Sequence, residues 1–342
     1  MRKLLLAVLL FFALPVPAQR TSTHVDAARH EVSFDVGPFD VSPMNTQAMH
    51  GDMSHSSMQM GHDEAVRTLY QFTWPVDGYA KGFRVEVRDA RGKLLPTSLL
   101  HHVTGVTLDR RQYIYAAAER LFGIGKETEE VLLPGRLAVP LQKGQHIGYY
   151  VAWNNDTGRN LQGLTVRVVM TWAPPTATRD LIAVLPLWLD VNNEVGGTNT
   201  FDLVPGKSSR KFEFTAPASG RILGISGHLH DYGVAMRLED AETGALLVRL
   251  PATVDPNGKI KSIARKFYAV NPIHLREGHR YRVVAEYDSP LKTPVSKAAM
   301  GNIVGVIAPD DLSRWPSLDL QDPSVRRDFA SLGLGVSRPG TQ

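Results

Sequence analysis

The chain has 342 residues, 43% of them hydrophobic and 21% charged, with a formal charge of +4 at pH 7. That is the make-up of a soluble globular protein long enough for two domains. It contains no cysteine, which excludes disulfides, thiolate metal sites and a cysteine nucleophile, and its cations are interspersed with acids, which points away from nucleic acid as a partner.

The first residues read as a secretory signal. Arg2 and Lys3 precede an apolar run from Leu4 to Leu14, too short to span a bilayer, and Val16 and Ala18 supply the small residues of a cleavage site. A signal peptide over 1–18 predicts a periplasmic or secreted protein, and its removal takes two cations, from +4 to +2. No later run approaches about 18 apolar residues, so no membrane span is expected in the mature chain. An exported chain without disulfides fits the bacterial periplasm better than a disulfide-rich secretion.

Residues 19–63 are polar with weak periodicity and read as a flexible His/Met-rich segment. Met44, Met49, His50, Met53, His55, Met58, Met60 and His62 fall within 19 residues of one another. Thioethers with imidazoles favour soft ions such as Cu(I), and a flexible tract can wrap an ion without a preformed cage. The alternative is a linker that happens to be rich in methionine. The tract speaks for copper supply or capture and says nothing of catalysis.

From Leu69 the texture changes to short alternating runs, among them "GFRVEVRDA", "QHIGYYVAW" and "LTVRVVMTW", separated by Gly, Asp and Asn turns. The stretch Tyr113 to Phe122 predicts a short helix, and Ala173 to Thr178 a linker. A second set of strands follows, including "RILGISGHLH", "VAMRLED", "YRVVAEY" and "NIVGVIA". The expectation is an all-β chain of two tandem antiparallel β-sandwich (jelly-roll) domains, over 64–175 and 176–310, with a tail over 311–342.

Within this frame His228 and His230 stand two apart on a predicted strand, so both imidazoles share one face and form a chelate suited to Cu, Zn or Ni. The alternative is a pair of half-buried surface histidines. Met300 precedes a later strand, and a thioether beside two imidazoles selects copper. The adjacent pair His101 and His102 points to opposite faces of a regular strand, so a shared metal there requires a bulge or a strand end. Asp231 is placed to orient a liganding imidazole or to cap a strand end. His24, His30, His274 and His279 read as surface residues.

The order of these residues resembles the copper type II, ascorbate-dependent monooxygenases, the family of peptidylglycine α-hydroxylating and dopamine β-monooxygenases. The likeness rests on His101-His102 in "LLHHVTGV", on "HLHDYGVAMRLED", on "AAMGNIVGVIA" and on the 70-residue step from His230 to Met300, and it covers roughly residues 69–310. It implies copper as cofactor, a small-molecule substrate hydroxylated at a C–H bond with O2, and ascorbate or another reductant. His228, His230 and Met300 would be the catalytic copper ligands, with an electron-storing copper at His101 and His102.

Three departures stand beside the resemblance. The position of the family's third histidine in the first domain holds Trp153, followed by Asn154, and His146 is the nearest histidine. The family's substrate-carboxylate arginine, two before the His-x-His, is Ser226. Asn302 is retained, but the tyrosine position is Val304, so a peptidyl-glycine substrate is not expected. An alternative reading is a non-catalytic periplasmic copper-handling protein on the same scaffold, and a third is a structural or adhesion sandwich with incidental histidines.

Overall fold

The computed structural model describes residues 19–43, 68–125, 130–192, 195 and 199–334. Residues 1–18, expected to be a signal peptide, and all eight His and Met positions of the tract lie outside the described residues.

The chain is built almost wholly of strands. The first are β1 (Arg20–Asp26), β2 (Glu31–Val41), β3 (Tyr70–Thr73), β4 (Gly78–Arg88), β5 (Leu94–Leu95) and β6 (Leu100–Arg111). Next come β7 (Ala118–Gly125), β8 (Glu130–Leu132), β9 (Leu137–Leu141), β10 (His146–Trp153), β11 (Leu161–Ala173) and β12 (Ile182–Ala183). The second set opens with β13 (Leu185–Asp190), β14 (Phe201–Leu203), β15 (Gly206–Thr215), β16 (Gly220–Leu229), β17 (Gly233–Asp240) and β18 (Leu246–Val254). It closes with β19 (Ile260–Ile263), β20 (Lys266–Phe267), β21 (Ile273–Leu275), β22 (Arg280–Ser289), β23 (Val295–Ala299) and β24 (Gly301–Pro309), before a single helix, α1 (Pro323–Ser331).

These strands make two antiparallel sandwiches in tandem. In the first, a sheet ordered β1-β2-β11-β4-β9-β12, with β5 and β8 also on β4, faces a sheet ordered β3-β10-β6-β7. Val32, Phe34, Val85, Val103, Tyr149 and Val168 fill the space between. In the second, β13-β24-β16-β20, with β21 on β16, faces β15-β22-β17-β18-β19. Its core holds Ile225, Leu229, Met236, Val283, Ile303 and Ile307. Alternation explains which side faces in: Val85 and Val87 are buried, while Arg84 and Glu86 between them pair on the outside. None of the helices among the described residues is long and apolar enough to cross a membrane.

Four sequence expectations need correction. Arg20 to Val41 is no loose segment: β1 and β2 form a hairpin, and Val32, Phe34, Val36, Phe39 and Val41 are buried. The period-2 signal of β2 shifts phase at Gly37-Pro38, which hid it. Tyr113 to Phe122 is not a helix. Residues 113–117 are a turn, and Ala118 to Gly125 pairs with β6, because the partner strand satisfies the backbone that a helix would have satisfied internally. The expected linker leads not into the second sandwich but into β12, which pairs in parallel with β9. Finally, the tail returns to the first sandwich. Val325, Phe329 and Leu332 pack with Leu69, Val106, Leu108 and Tyr150, and Asp328 accepts from Ala118 N (2.9 Å) and Arg120 (2.6 and 2.8 Å).

The 113–117 turn also joins the two sandwiches. Tyr113 belongs to the second core, packs on Trp315 with ring centroids 5.1 Å apart and donates its hydroxyl to the carbonyl of Ala218. The Tyr115 hydroxyl accepts from Asp190 N at 2.6 Å and donates to Asp190 O at 3.2 Å.

Candidate metal centre

β16 and β24 are antiparallel neighbours in which Gly227 faces Ile303, His228 faces Asn302 and Leu229 faces Gly301. Ile225 and Leu229 point into the second core, as do Ile303 and Ile307. Period-2 alternation therefore sends Ser226, His228, Asn302 and Val304 to the opposite face. His230 and Met300 flank the last pair of this ladder, Leu229 and Gly301, just outside the two strands. Further along, Val306 and Ala308 of this face join the first sandwich's core, so the face that carries the histidines is the one turned towards the first sandwich.

The two imidazoles lie 5.4 Å apart, centroid to centroid, at 88°. Rings bound to one metal through nitrogens at about 2.0 Å have their centroids roughly 3.2 Å from the ion, hence about 5–6 Å from each other. The observed spacing meets that requirement. His230 Nδ1 stands 3.1 Å from the carbonyl of Ala298. A carbonyl can only accept, so the proton sits on Nδ1 and the lone pair on Nε2, the nitrogen a metal would use.

One atom fixes the backbone around both ends of the set. The Tyr287 hydroxyl accepts from His230 N and from Met300 N, each at 3.1 Å, and donates to the carbonyl of Met300. Burial pushes its pKa up, so the hydroxyl keeps its proton. Tyr287 escaped the sequence reading because an alternating "YRVVAEY" advertises only a strand. Asp231, next to the chelate, accepts from Ile260 N at 3.1 Å; that contact fastens the start of β19.

Behind His228 runs a row of polar side chains across three strands, since Asn302 faces His228 on one side and Asp190 of β13 on the other. Asp190 is 1% exposed. It accepts from Asn192 N at 2.8 Å and from Asn199 Nδ2 at 2.7 Å, with Trp188 and Asn302 as further donors. Burial outweighs these donors and raises its pKa to about 6. Asn302 is buried, and its Oδ1 has no hydrogen-bond partner.

In the first sandwich, His102 faces Ala152 while Leu100 faces Trp153, so His101 is an extra residue, a β-bulge. The two rings stand 5.0 Å apart, and His102 meets Tyr150 edge-on at 5.9 Å. A third histidine does not reach them among the described residues. His146 sits at the other end of β10, six residues from Ala152, or about 20 Å along a strand. It stands 3.4 Å from Asp109. Trp153 packs on Phe39, and the amide of Asn154 is spent on Ser98 O at 3.1 Å. His24 and His30 are exposed; His274 pairs with Asp310 at 2.6 Å and His279 with Asp240 at 2.8 Å. Among the described residues no three His, Cys, Asp or Glu side chains gather to hold a metal.

No family model matches the chain, and no curated protein matches it. Among solved structures it is similar to the major capsid protein P2 of bacteriophage PM2, at 7% identity over 72% of this chain and 94% of that one, with a TM-score of 0.36. It is similar also to the STIV major capsid protein, at 9% identity over 78% and 97%, with a TM-score of 0.35. PNGase F, a glycosylasparaginase from Flavobacterium meningosepticum, aligns at 7% identity over 80% and 95%, with a TM-score of 0.38.

Proposed function

We propose that the chain is an exported copper-binding protein, monooxygenase-like, with its copper at His228, His230 and Met300. The observation that carries this reading is the pair of imidazoles 5.4 Å apart at the end of β16, with the backbone of Met300 held to the same Tyr287 hydroxyl as that of His230. The donor set suits copper, since the thioether stabilises Cu(I) and the imidazoles accept both oxidation states. Bound there, copper would supply O2 and one-electron chemistry for hydroxylating a C–H bond, with ascorbate or another reductant as electron source. The chain's own contribution is to hold the ligands. Ala298 O sets the His230 tautomer, and Tyr287 fixes the backbone of His230 and Met300.

A second reading is copper handling without hydroxylation. It is favoured by the first sandwich, where His101 and His102 have the bulge that a shared metal requires but, among the described residues, no third histidine within reach. The sequence motif of the tract from Met44 to His62 suits that role as well. A loss of one retained copper per chain in His230→Ala, measured after dialysis, is the expected result for either reading; a copper content unchanged by His230→Ala would sink both. O2-dependent product formation with ascorbate, lost in Met300→Ala, separates the enzyme from the handler.

A further inference from the structure

Several cations on the sheet faces are paired: Arg84 and Arg88 with Glu86, Arg167 with Asp35, and Arg282 with Glu213 and Glu239. The connection from β18 to β21 is different. From Pro256 to Arg276 the sequence holds no acid at all. Within it Lys259, Lys261, Arg265 and Lys266 are exposed, and none of the four belongs to an ion pair among the described residues. Phe267 is 57% and Val270 75% exposed in the same stretch.

This stretch is a ribbon with two sides. Its inner side is anchored. Ile260, Ile263 and Tyr268 pack on the second core, Ala252 and Thr253 pair with Ile263 and Ser262, and Lys266 and Phe267 pair with Ile225 and Gly224. Its start is fastened beside the His-x-His strand, where Tyr232 N donates to Gly258 O at 2.7 Å. The Phe267 ring lies over Gly224, where a Cβ would come within 2.8 Å of it. The ribbon's exposed side chains include four cations, with an aromatic and an aliphatic residue at the end of the run. A partner must therefore offer negative charge above an apolar layer. Nucleic acid offers the charge without the layer. An acidic protein matches the charge but does not of itself give Phe267 and Val270 an apolar layer to enter. An anionic lipid surface has both layers in that order.

We propose that the ribbon from Lys259 to Val270 is a docking surface for an anionic lipid bilayer. Phe267 and Val270 enter the boundary between headgroups and acyl chains, and Lys259, Lys261, Arg265 and Lys266 lie against the lipid phosphates. The contact needs no copper and no intact metal site. It would hold the second sandwich at a membrane with its β16 edge towards the lipid.

The test is co-sedimentation of the full chain with unilamellar vesicles, either phosphatidylcholine alone or phosphatidylcholine and phosphatidylglycerol in equal parts. Each cation brought to an anionic surface is worth about fivefold in partitioning. Lys259→Glu combined with Lys266→Glu is therefore expected to weaken binding to the anionic vesicles by at least about tenfold. Salt at about 1 M, where the Debye length is about 3 Å, should do the same to the wild type. Val270→Ser, at an exposed position whose loss leaves the core intact, should weaken binding severalfold, with an unchanged melting curve as the control for folding. Wild-type binding that is equal to that of the charge-reversed variant, or absent from anionic vesicles, overturns the proposal. So does capture by soluble polyglutamate as strong as capture by the vesicles, which would make the ribbon a site for acidic polypeptides.

Discussion

Tyr287 gives the sharpest expectation at the scale of single residues. Its hydroxyl is bonded to the backbones of His230 and Met300 at once, so Tyr287→Phe leaves two buried N–H groups short of an acceptor and frees the ladder end. Loss of such outer-shell partners typically costs 10–100-fold in metal affinity. Copper affinity should fall within that range in a competition assay, with the far-ultraviolet circular dichroism of the native protein retained. Asp190 makes a different prediction, about pH. Its pKa is raised to about 6 from an ordinary 3.8, so the folded state holds a proton that the unfolded state has already released. Stability from this group is present below about pH 4 and is lost as pH rises through about 6, by roughly 3 kcal/mol for a shift of about two units. Urea midpoints of the metal-free protein between pH 4 and 8 should show this decline, and Asp190→Asn should flatten it. An identical slope in the variant would assign the decline to other groups.

Helix α1 is the element most clearly separated from its sequence neighbours in function. Asp322 caps it by accepting from Ser324 N, Pro323 opens it, and Asp328 reaches into the first sandwich to meet Arg120. Both charged side chains are buried, at 12% and 2% exposed. Removing one partner strands the other, which typically costs 3–5 kcal/mol. Asp328→Ala should show a loss of that order in chemical denaturation, far more than Arg314→Ala, whose ion pair with Glu277 is exposed. The elements also show what the sequence disclosed. Strands with clear local alternation, such as Arg84 to Arg88 of β4 and Ile225 to Leu229 of β16, were legible, and with them the closeness of His228 and His230. β2 was hidden by its change of phase at Gly37-Pro38, and β7 by a run of alanines that suits a helix in isolation. The bulge at His101 could be posed from sequence only as a condition, because a bulge is a property of two strands in register. The distance from His146 to the His pair needed the same register, as did the row from Asp190 to His228.

At the scale of the whole molecule the two sandwiches share more than a linker. Tyr113 is a side chain of the first sandwich buried in the core of the second, and Tyr115 clasps the backbone of Asp190. Val306 and Ala308 of the second extend the core of the first. Two domains so interlocked should melt together. Calorimetry is expected to give one transition for the wild type and two for Tyr113→Ala combined with Tyr115→Ala, since the double variant empties the plug and its hydrogen bonds. Two transitions already present in the wild type would contradict this. The position of α1 also bears on how the molecule is made. The first sandwich is encoded first, yet the apolar patch of Leu69, Val106, Leu108 and Tyr150 is covered by residues that follow the entire second sandwich. A chain emerging from its N-terminus, whether from a ribosome or a translocation pore, would carry that patch bare until its last segment arrived, and would finish its oldest part last.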